Sequence, residues 1–293
     1  MSVLLHQRII EVADGIIVIL NGNGGMGVSN ASCVIDGDKA FVVDTMTFPE
    51  MAEGMVREIA RRGAHTDMVL NTHPHIDHVG GNKAFADARI VSHPASVSFL
   101  QRLGLPVKMY DRLMPHFRGR FDNLELVIPE PAIDQLRLPR GGELYVFTPA
   151  HTLADLAVWF PESRVLLAGD ISFIGVTPLA VHGLLSGWIE AIDTLLALNP
   201  EVIVPGHGAI GSCHELRAQR DYLAALYRMG QLAVEENLSL EDALAAFDAG
   251  PAAEWLEADR TSLNLERAIQ EVRGEINRQD ISMLPPSVQP RAA

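Results

Sequence analysis

Cysteine is almost missing from this chain: Cys33 and Cys213 are the only two in 293 residues. They lie far apart and outside any C-x-x-C pattern, which excludes a disulfide framework and a cysteine-built zinc site and fits a reducing cytoplasm. Long apolar runs are missing too. No stretch approaches the roughly 18 apolar residues of a membrane span, and the opening MSVLLHQRIIEVADG has no basic region followed by a long apolar core. The expectation is a cytoplasmic protein, neither exported nor inserted in a membrane. Basic residues are few, 23 Lys and Arg against 37 Asp and Glu, for a formal charge of -14. That balance disfavours any role that depends on neutralising many phosphates, so nucleic acid is not an expected partner. What the chain does have is apolar residues, 48% against 20% charged, enough for one large domain or a domain with an appendage.

Turn residues between β-branched runs mark successive strands in the first part: RIIEV, GIIVIL, ASCVID and AFVVD, separated by ADG, the glycine-rich NGNGGMGVSN and GDK. PEMAEGMVREIARRG then shows helical spacing, with Met51, Met55 and Ile59 on one face and Gly63 at its end. TDMVLNT reads as a buried strand. The second half repeats the alternation, with strands at ELYVFTPA, LAVWF, VLLAGD and EVIVPGHG, a helix in SGWIEAIDTLLAL, and helices from there to about Ile276. Two strand-rich halves with helices outside each predict an α/β fold, a four-layer αββα sandwich with extra C-terminal helices.

The chemistry gathers at strand ends. NTHPHIDHVGGN, residues 71 to 82, places His73, His75, Asp77 and His78 directly after an apolar run. His73 and His75, two apart in an extended segment, project to the same side, whereas Asp77 and His78 begin a turn and can serve a neighbouring position. One zinc needs only three or four protein ligands, so four donors here, with others recruited from afar, suggest a binuclear centre. His151 in TPAHT, Asp170 in LLAGD and His207 in VPGHG each follow an apolar run and supply those distant donors. A lone histidine after a strand is ordinarily a loop or core residue; this ordered set points to one site on one rim. His6, His65, His93, His116, His182 and His214 lack such partners, although His182, twelve residues after Asp170, could lie near the site as a substrate contact.

The ordered set THPHIDHVGG, AHT, GD and PGHG resembles the metallo-β-lactamase superfamily over about residues 7 to 210. The resemblance implies the αββα sandwich, with His73, His75 and His151 around a first metal, Asp77, His78 and His207 around a second, Asp170 bridging the two, and Asp44 bracing the histidine loop from behind. The metals it implies are two divalent ions, zinc by preference, with iron or manganese as alternatives. The chain is expected to hold a catalytic domain over residues 1–210 and a C-terminal helical extension of the same domain over 211–280, with the proline-bearing end 281–293 a flexible tail. Antibiotic-hydrolysing members usually carry cysteine or serine where Asp170 stands, so β-lactam hydrolysis is disfavoured. Members with a di-iron centre and a flavin domain usually place glutamate where His75 stands. Where many hydrolase members read GHTPG, this chain has AHTLA, so Ala150, Leu153 and Ala154 predict an altered loop that narrows or redirects the pocket.

Two dications about 3.5–4 Å apart lower the pKa of a shared water from about 15.7 toward 7. The expected reaction is therefore attack of a metal-bridging hydroxide, oriented by Asp77, on a thioester or ester of a small organic acid, with no Ser or Cys nucleophile. A lactonase, an iron-dependent persulfide dioxygenase and a non-catalytic metal-binding protein are the competing readings. Residues 95 to 122 mix apolar side chains with Arg102, Lys108, Arg112, Arg118 and Arg120. They read either as solvated cover for the sheet or as a lid that grips, through Arg112 and Arg118, an anionic carrier such as coenzyme A, glutathione or a carrier protein. Helices after His207 could wall the pocket or form a homodimer face.

Overall fold

The computed structural model describes residues 6–279, so the expected tail over 281–293 lies outside the described residues. Two sheets form its centre. The first has six strands in sequential order, β1 (Gln7–Ala13), β2 (Ile16–Asn21), β3 (Ala31–Asp36), β4 (Lys39–Val43), β5 (His65–Leu70) and β6 (Arg89–Val91), antiparallel through β4 and parallel from there. The change to parallel pairing follows from α1 (Pro49–Arg61), the crossover between β4 and β5. The second has four strands, β7 (Glu143–Phe147), β8 (Asp155–Phe160), β9 (Val165–Ile174) and β10 (Val202–Gly208), in the order β10-β9-β8-β7. The two halves are thus unequal. The short β6 was not anticipated, because three residues carry no readable alternation.

Alternation along the strands builds the layers. Ile16, Val18 and Leu20 of β2 face Leu156, Val158 and Phe160 of β8 between the sheets, while Ile17 and Ile19 turn outward to Met51, Met55 and Ile59 of α1. On the other side, Ala157 and Trp159 of β8 and Leu166 and Ala168 of β9 pack against α5 (Leu185–Ala197), α6 (Cys213–Glu235) and α8 (Thr261–Val272). Strands covered on both faces read as continuous apolar runs, which is why β2, β8 and β9 are buried at every position. This is the αββα sandwich, and a helix α7 (Leu240–Ala246) joins α6 to the last turns before α8.

A single turn, α2 (Ile76–Val79), lies beside the histidines, and the segment between β6 and β7 forms α3 (Pro94–Leu103) and α4 (Val107–Leu113), followed by short single turns. Cys33 is buried in β3, where burial pushes its thiol up to about 12, and Cys213 opens α6 with its sulfur donating to the Pro200 carbonyl. Neither is placed as a nucleophile. Among the described residues no helix is long and apolar enough to cross a membrane.

At the outer edge α1 is clamped to β1. Glu58, 8% exposed, accepts from Arg61 and Arg62, and Arg62 also donates to Glu11. The hydrogen bond from Arg61, with that from Arg62 behind it, lowers the Glu58 carboxyl from 4.5 to about 2 against the opposing effect of burial. A depressed carboxylate contributes stability that is whole above its unfolded pKa and is lost as pH falls through the folded one. Glu58→Gln should therefore cost about 1 kcal/mol near neutral pH, discounted because both arginines reach solvent. Its deficit in denaturant melts should shrink as pH falls below 4.5; a deficit constant with pH would contradict the pairing.

Candidate metal centre

The seven donors named from sequence come together at one rim of the sandwich, in two groups: His73, His75, His151 and Asp170, then Asp77, His78 and His207, with ligand atoms in each group within 4.8 Å of one another. Each comes from a strand end or the loop after it. His73 and His75 follow β5, Asp77 and His78 sit on α2, His151 lies between β7 and β8, Asp170 is within β9, and His207 is within β10.

The hydrogen bonds behind the rings decide what each ring presents in front. Thr72 donates its hydroxyl to Asp44 Oδ2, so His73 Nδ1 donates to Thr72 Oγ1 and turns an unprotonated Nε2 inward. His75 Nε2 lies 2.9 Å from His182 Nδ1; with that contact as donor, His75 turns Nδ1 inward, 3.1 Å from His73 Nε2 and 3.0 Å from His151 Nε2. His78 Nδ1 is 2.8 Å from Asp44 Oδ2, leaving Nε2 facing Asp170 Oδ1 at 3.1 Å. His207 Nδ1 donates to the Gly24 carbonyl, leaving Nε2 at 3.2 Å from Asp77 Oδ2 and 3.5 Å from Asp170 Oδ2. The inward atoms are therefore lone-pair bearers facing lone-pair bearers. His78 Nε2 and Asp170 Oδ1 are buried without a hydrogen-bond partner. Such a set is repulsive unless cations or extra protons lie between its members, so the residues fit two divalent cations sharing Asp170.

Ionisation tells the same story. Burial holds His73 and His75 well below the ordinary histidine range, with neighbouring imidazoles adding to the effect. His78 goes the other way: burial opposes its protonation, but Asp170 and Asp44 carry it well above that range, and Asp170 and Asp77 raise His207 likewise. Burial would raise Asp77 and Asp170, yet the surrounding imidazoles hold both carboxyls below the usual range. Without metal, protons on His78 and His207 balance the carboxylates; metal ions would take that place.

Several positioning residues escaped the sequence. Asn71 and Asn82 exchange side-chain hydrogen bonds, and Asn71 and Thr45 both donate to the His78 carbonyl, which fixes the loop that carries four donors. Asp44, with φ of 61°, accepts from the backbone and hydroxyl of Thr72 as well as meeting His78. The glycine-rich stretch read as a turn is the seat of His207. Gly24 supplies the carbonyl to its ring, and a Cβ there would stand 2.3 Å from the Gly208 nitrogen. Asn30 then ties both sides of that histidine by donating to the Pro205 and Gly208 carbonyls. The glycine run and the single PGHG, distant in sequence, were the available signal.

A cavity opens onto the donors, walled by α3, α4, the Met26–Gly27 backbone and the segment after β9. His182 lines it, as does Arg260, which sequence reasoning overlooked; Arg260 is 4% exposed, donates to the Thr177 carbonyl and pairs with Glu257. Arg112 and Arg118 are not at this cavity. Both are exposed, because α4 turns Tyr110 and the neighbouring Met109 and Met114 inward and leaves Arg112 on the opposite side. The AHTLA loop does not fill the pocket either: Leu153 packs on Leu184 and Ile276, and Thr152 donates to the Asp155 carboxylate, which closes the turn.

The family model of the metallo-beta-lactamase superfamily matches residues 24–207. Among curated relatives, a beta-lactamase-like protein 2 homolog of Caenorhabditis elegans is 27% identical over 217 residues, 72% of this chain and 67% of that protein. The 2,4-dinitroanisole O-demethylase subunit alpha of a Nocardioides species is 31% identical over 182 residues, covering 59% and 51%. A hydroxyacylglutathione hydrolase of a Synechococcus species is 28% identical over 163 residues, covering 56% of each. The chain thus spans from 51% to 67% of the length of these relatives. Among solved structures, a metallo beta-lactamase from Erythrobacter litoralis superposes with a TM-score of 0.57 at 18% identity, over 74% of this chain and 96% of that one. A sec-alkyl sulfatase does so with a TM-score of 0.70 at 16% identity, over 96% of this chain and 52% of that one. At those identities the likeness is one of fold.

Gly206 offers a test of the shared carboxylate that leaves every donor in place. A Cβ on it would stand 1.8 Å from Asp170 Oδ1. Gly206→Ala should displace that carboxylate and lower the metal content of protein purified without chelators from about two ions per chain to about one or fewer. Elemental analysis beside a circular dichroism melt measures this; full metal content in a folded variant would contradict the shared role.

Proposed function

Because this chain belongs to the metallo-beta-lactamase superfamily, we propose that it is a two-metal hydrolase acting on a thioester or ester of a small organic acid. The observation that carries the reading is the pair of donor groups sharing Asp170 at the floor of an open cavity. Relatives named hydroxyacylglutathione hydrolase support the thioester side of it. In this reading His73, His75 and His151 hold one ion, Asp77, His78 and His207 the other, and Asp170 both. Zinc suits the nitrogen and oxygen donors, and iron or manganese would also be accepted.

When bound, the cations would supply Lewis acidity to the scissile carbonyl and bring the pKa of a water near 7, so the chain needs no nucleophile of its own. The protein's residues do the rest. Asp77, 14% exposed at its side chain and kept ionised by His207 and His78, can orient an attacking water and accept its proton. His182 accepts from His75 and so fixes which nitrogen that ring offers. The apolar wall excludes bulk water, which strengthens each charge interaction inside. The full set of donors for two ions favours hydrolysis over a one-iron oxygenase, and the open cavity favours turnover over idle binding.

Metal-loaded protein should cleave members of a panel of thioesters, simple esters and lactones and leave a chromogenic cephalosporin intact. Chelation should abolish turnover and added zinc restore it. Turnover of the cephalosporin, or no turnover of any acyl compound by protein with its metals in place, would overturn the proposal.

Two sets of variants separate the roles. Asp77→Asn should lower kcat by about 100-fold or more with the melting curve preserved, whereas Cys33→Ser and Cys213→Ser should keep most activity. His182→Ala should weaken metal retention by about 10- to 100-fold in chelator competition; unchanged retention would reduce it to a wall residue.

A further inference from the structure

The cavity beside the donors has a chemical character of its own. It encloses about 100 Å3, somewhat less than the roughly 150 Å3 that holds a benzene molecule. Away from the metal-ligating side chains its wall is formed by Met26, Phe99, Met109, Met114, Leu179 and Val181. Three of those six are methionines, whose flexible thioethers adapt to an occupant. The apolar lining runs to the surface, where Leu103 and Leu113 stand at the mouth, 36% and 41% exposed. Large apolar side chains left that open at the entrance of a cavity mark a route for an apolar molecule.

The polar groups of a carrier find little in this wall. Its one arginine, Arg260, is already held by Glu257 and the Thr177 carbonyl, and the basic residues Arg112 and Arg118 face solvent elsewhere. A hydroxyl on the occupant would be stripped of water over most of this wall, against methionine and phenylalanine, with only Tyr110 and His182 outside the metal donors and Arg260 to answer it. We infer that the substrate carries a compact apolar group beside its scissile carbonyl, a short aliphatic chain of about four to six carbons, which this wall selects against hydroxylated groups of equal size. The inference rests on the hydrolase reading above and names its substrate class. In the reaction the water oxygen bonds to the acyl carbon, the carbon–sulfur or carbon–oxygen bond breaks, and the water's proton goes to the departing thiolate or alkoxide.

The test holds the leaving group constant. Acetyl, propionyl, butyryl, hexanoyl, decanoyl, benzoyl and lactoyl thioesters of N-acetylcysteamine are compared on the metal-loaded protein. Each added methylene should raise kcat/KM by about fourfold until the cavity is full, with a fall by decanoyl, and lactoyl should run about tenfold or more below propionyl. Phe99→Ala, which opens the wall without touching a donor, should move the optimum to a longer chain. A flat series, or lactoyl at or above propionyl, would overturn the inference. If neither these thioesters nor the matching simple esters are cleaved, it is the hydrolase reading that falls, and melting shifts of the metal-loaded protein decide the pocket separately. Butanohydroxamate should then raise the melting temperature more than 3-hydroxybutanohydroxamate; equal shifts, or the reverse order, would overturn it.

Discussion

Acceptors that face one another across about 3 Å are the constraint on which this molecule is built. His73, His75, His78, His151 and His207 turn ring nitrogens toward each other and toward Asp77 and Asp170 at the buried floor of the cavity. Left alone, such a cluster would spread or take up protons, because unpaired lone pairs and charges are costly in a low-dielectric interior. It stays assembled because four of the rings, those of His73, His75, His78 and His207, are held from behind by Thr72, His182, Asp44 and the Gly24 carbonyl. The free energy that keeps the site together therefore comes from the sandwich around it, and metal ions would return part of it by linkage.

That burden explains features which otherwise look incidental. The Asn71–Asn82 exchange rigidifies a loop that has no regular strand or long helix to do so. Gly206 lets the β10 backbone pass against the Asp170 carboxylate, where any side chain would intrude. The irregular register of β9 against β10 between Val204 and His207 falls at the same point. Bulges commonly re-aim a side chain beside an active site, and here the re-aimed residue is His207.

The segment of α3 and α4 shows how one amphipathic stretch divides its duties. Its apolar side completes a pocket over the donors, while its arginines remain in water, apart from Arg120, which lies 4.2 Å over the Phe48 ring. Cover for the sheet and wall for the pocket are thus the same surface. The basic character that distinguishes this segment in the sequence has no counterpart among its side chains inside the cavity, so charge composition alone does not disclose the methionines that line it.

The sequence by itself determined the strands, the outer helices and the seven donors, because each of these is written locally: alternation or continuous apolar runs for the strands, 3.6-residue spacing for α1 and α5, and histidines or aspartates directly after apolar runs for the site. The role of Asp44, just after β4, came only with the family resemblance, and its contact with His78 is seen in the folded chain. Tertiary structure alone decided the rest. The division into six and four strands depends on pairing across the chain, and β6 is too short to announce itself. Arg260 reaches the cavity from a segment whose local sequence carries no site pattern, and Arg112 is turned away by the helical phase of Tyr110 and its neighbours. Which nitrogen each imidazole presents, and hence whether the cluster accepts a cation, follows from partners up to 183 residues away, as between Gly24 and His207. Hydrogen bonds at that separation exist only once the two sheets have closed on each other.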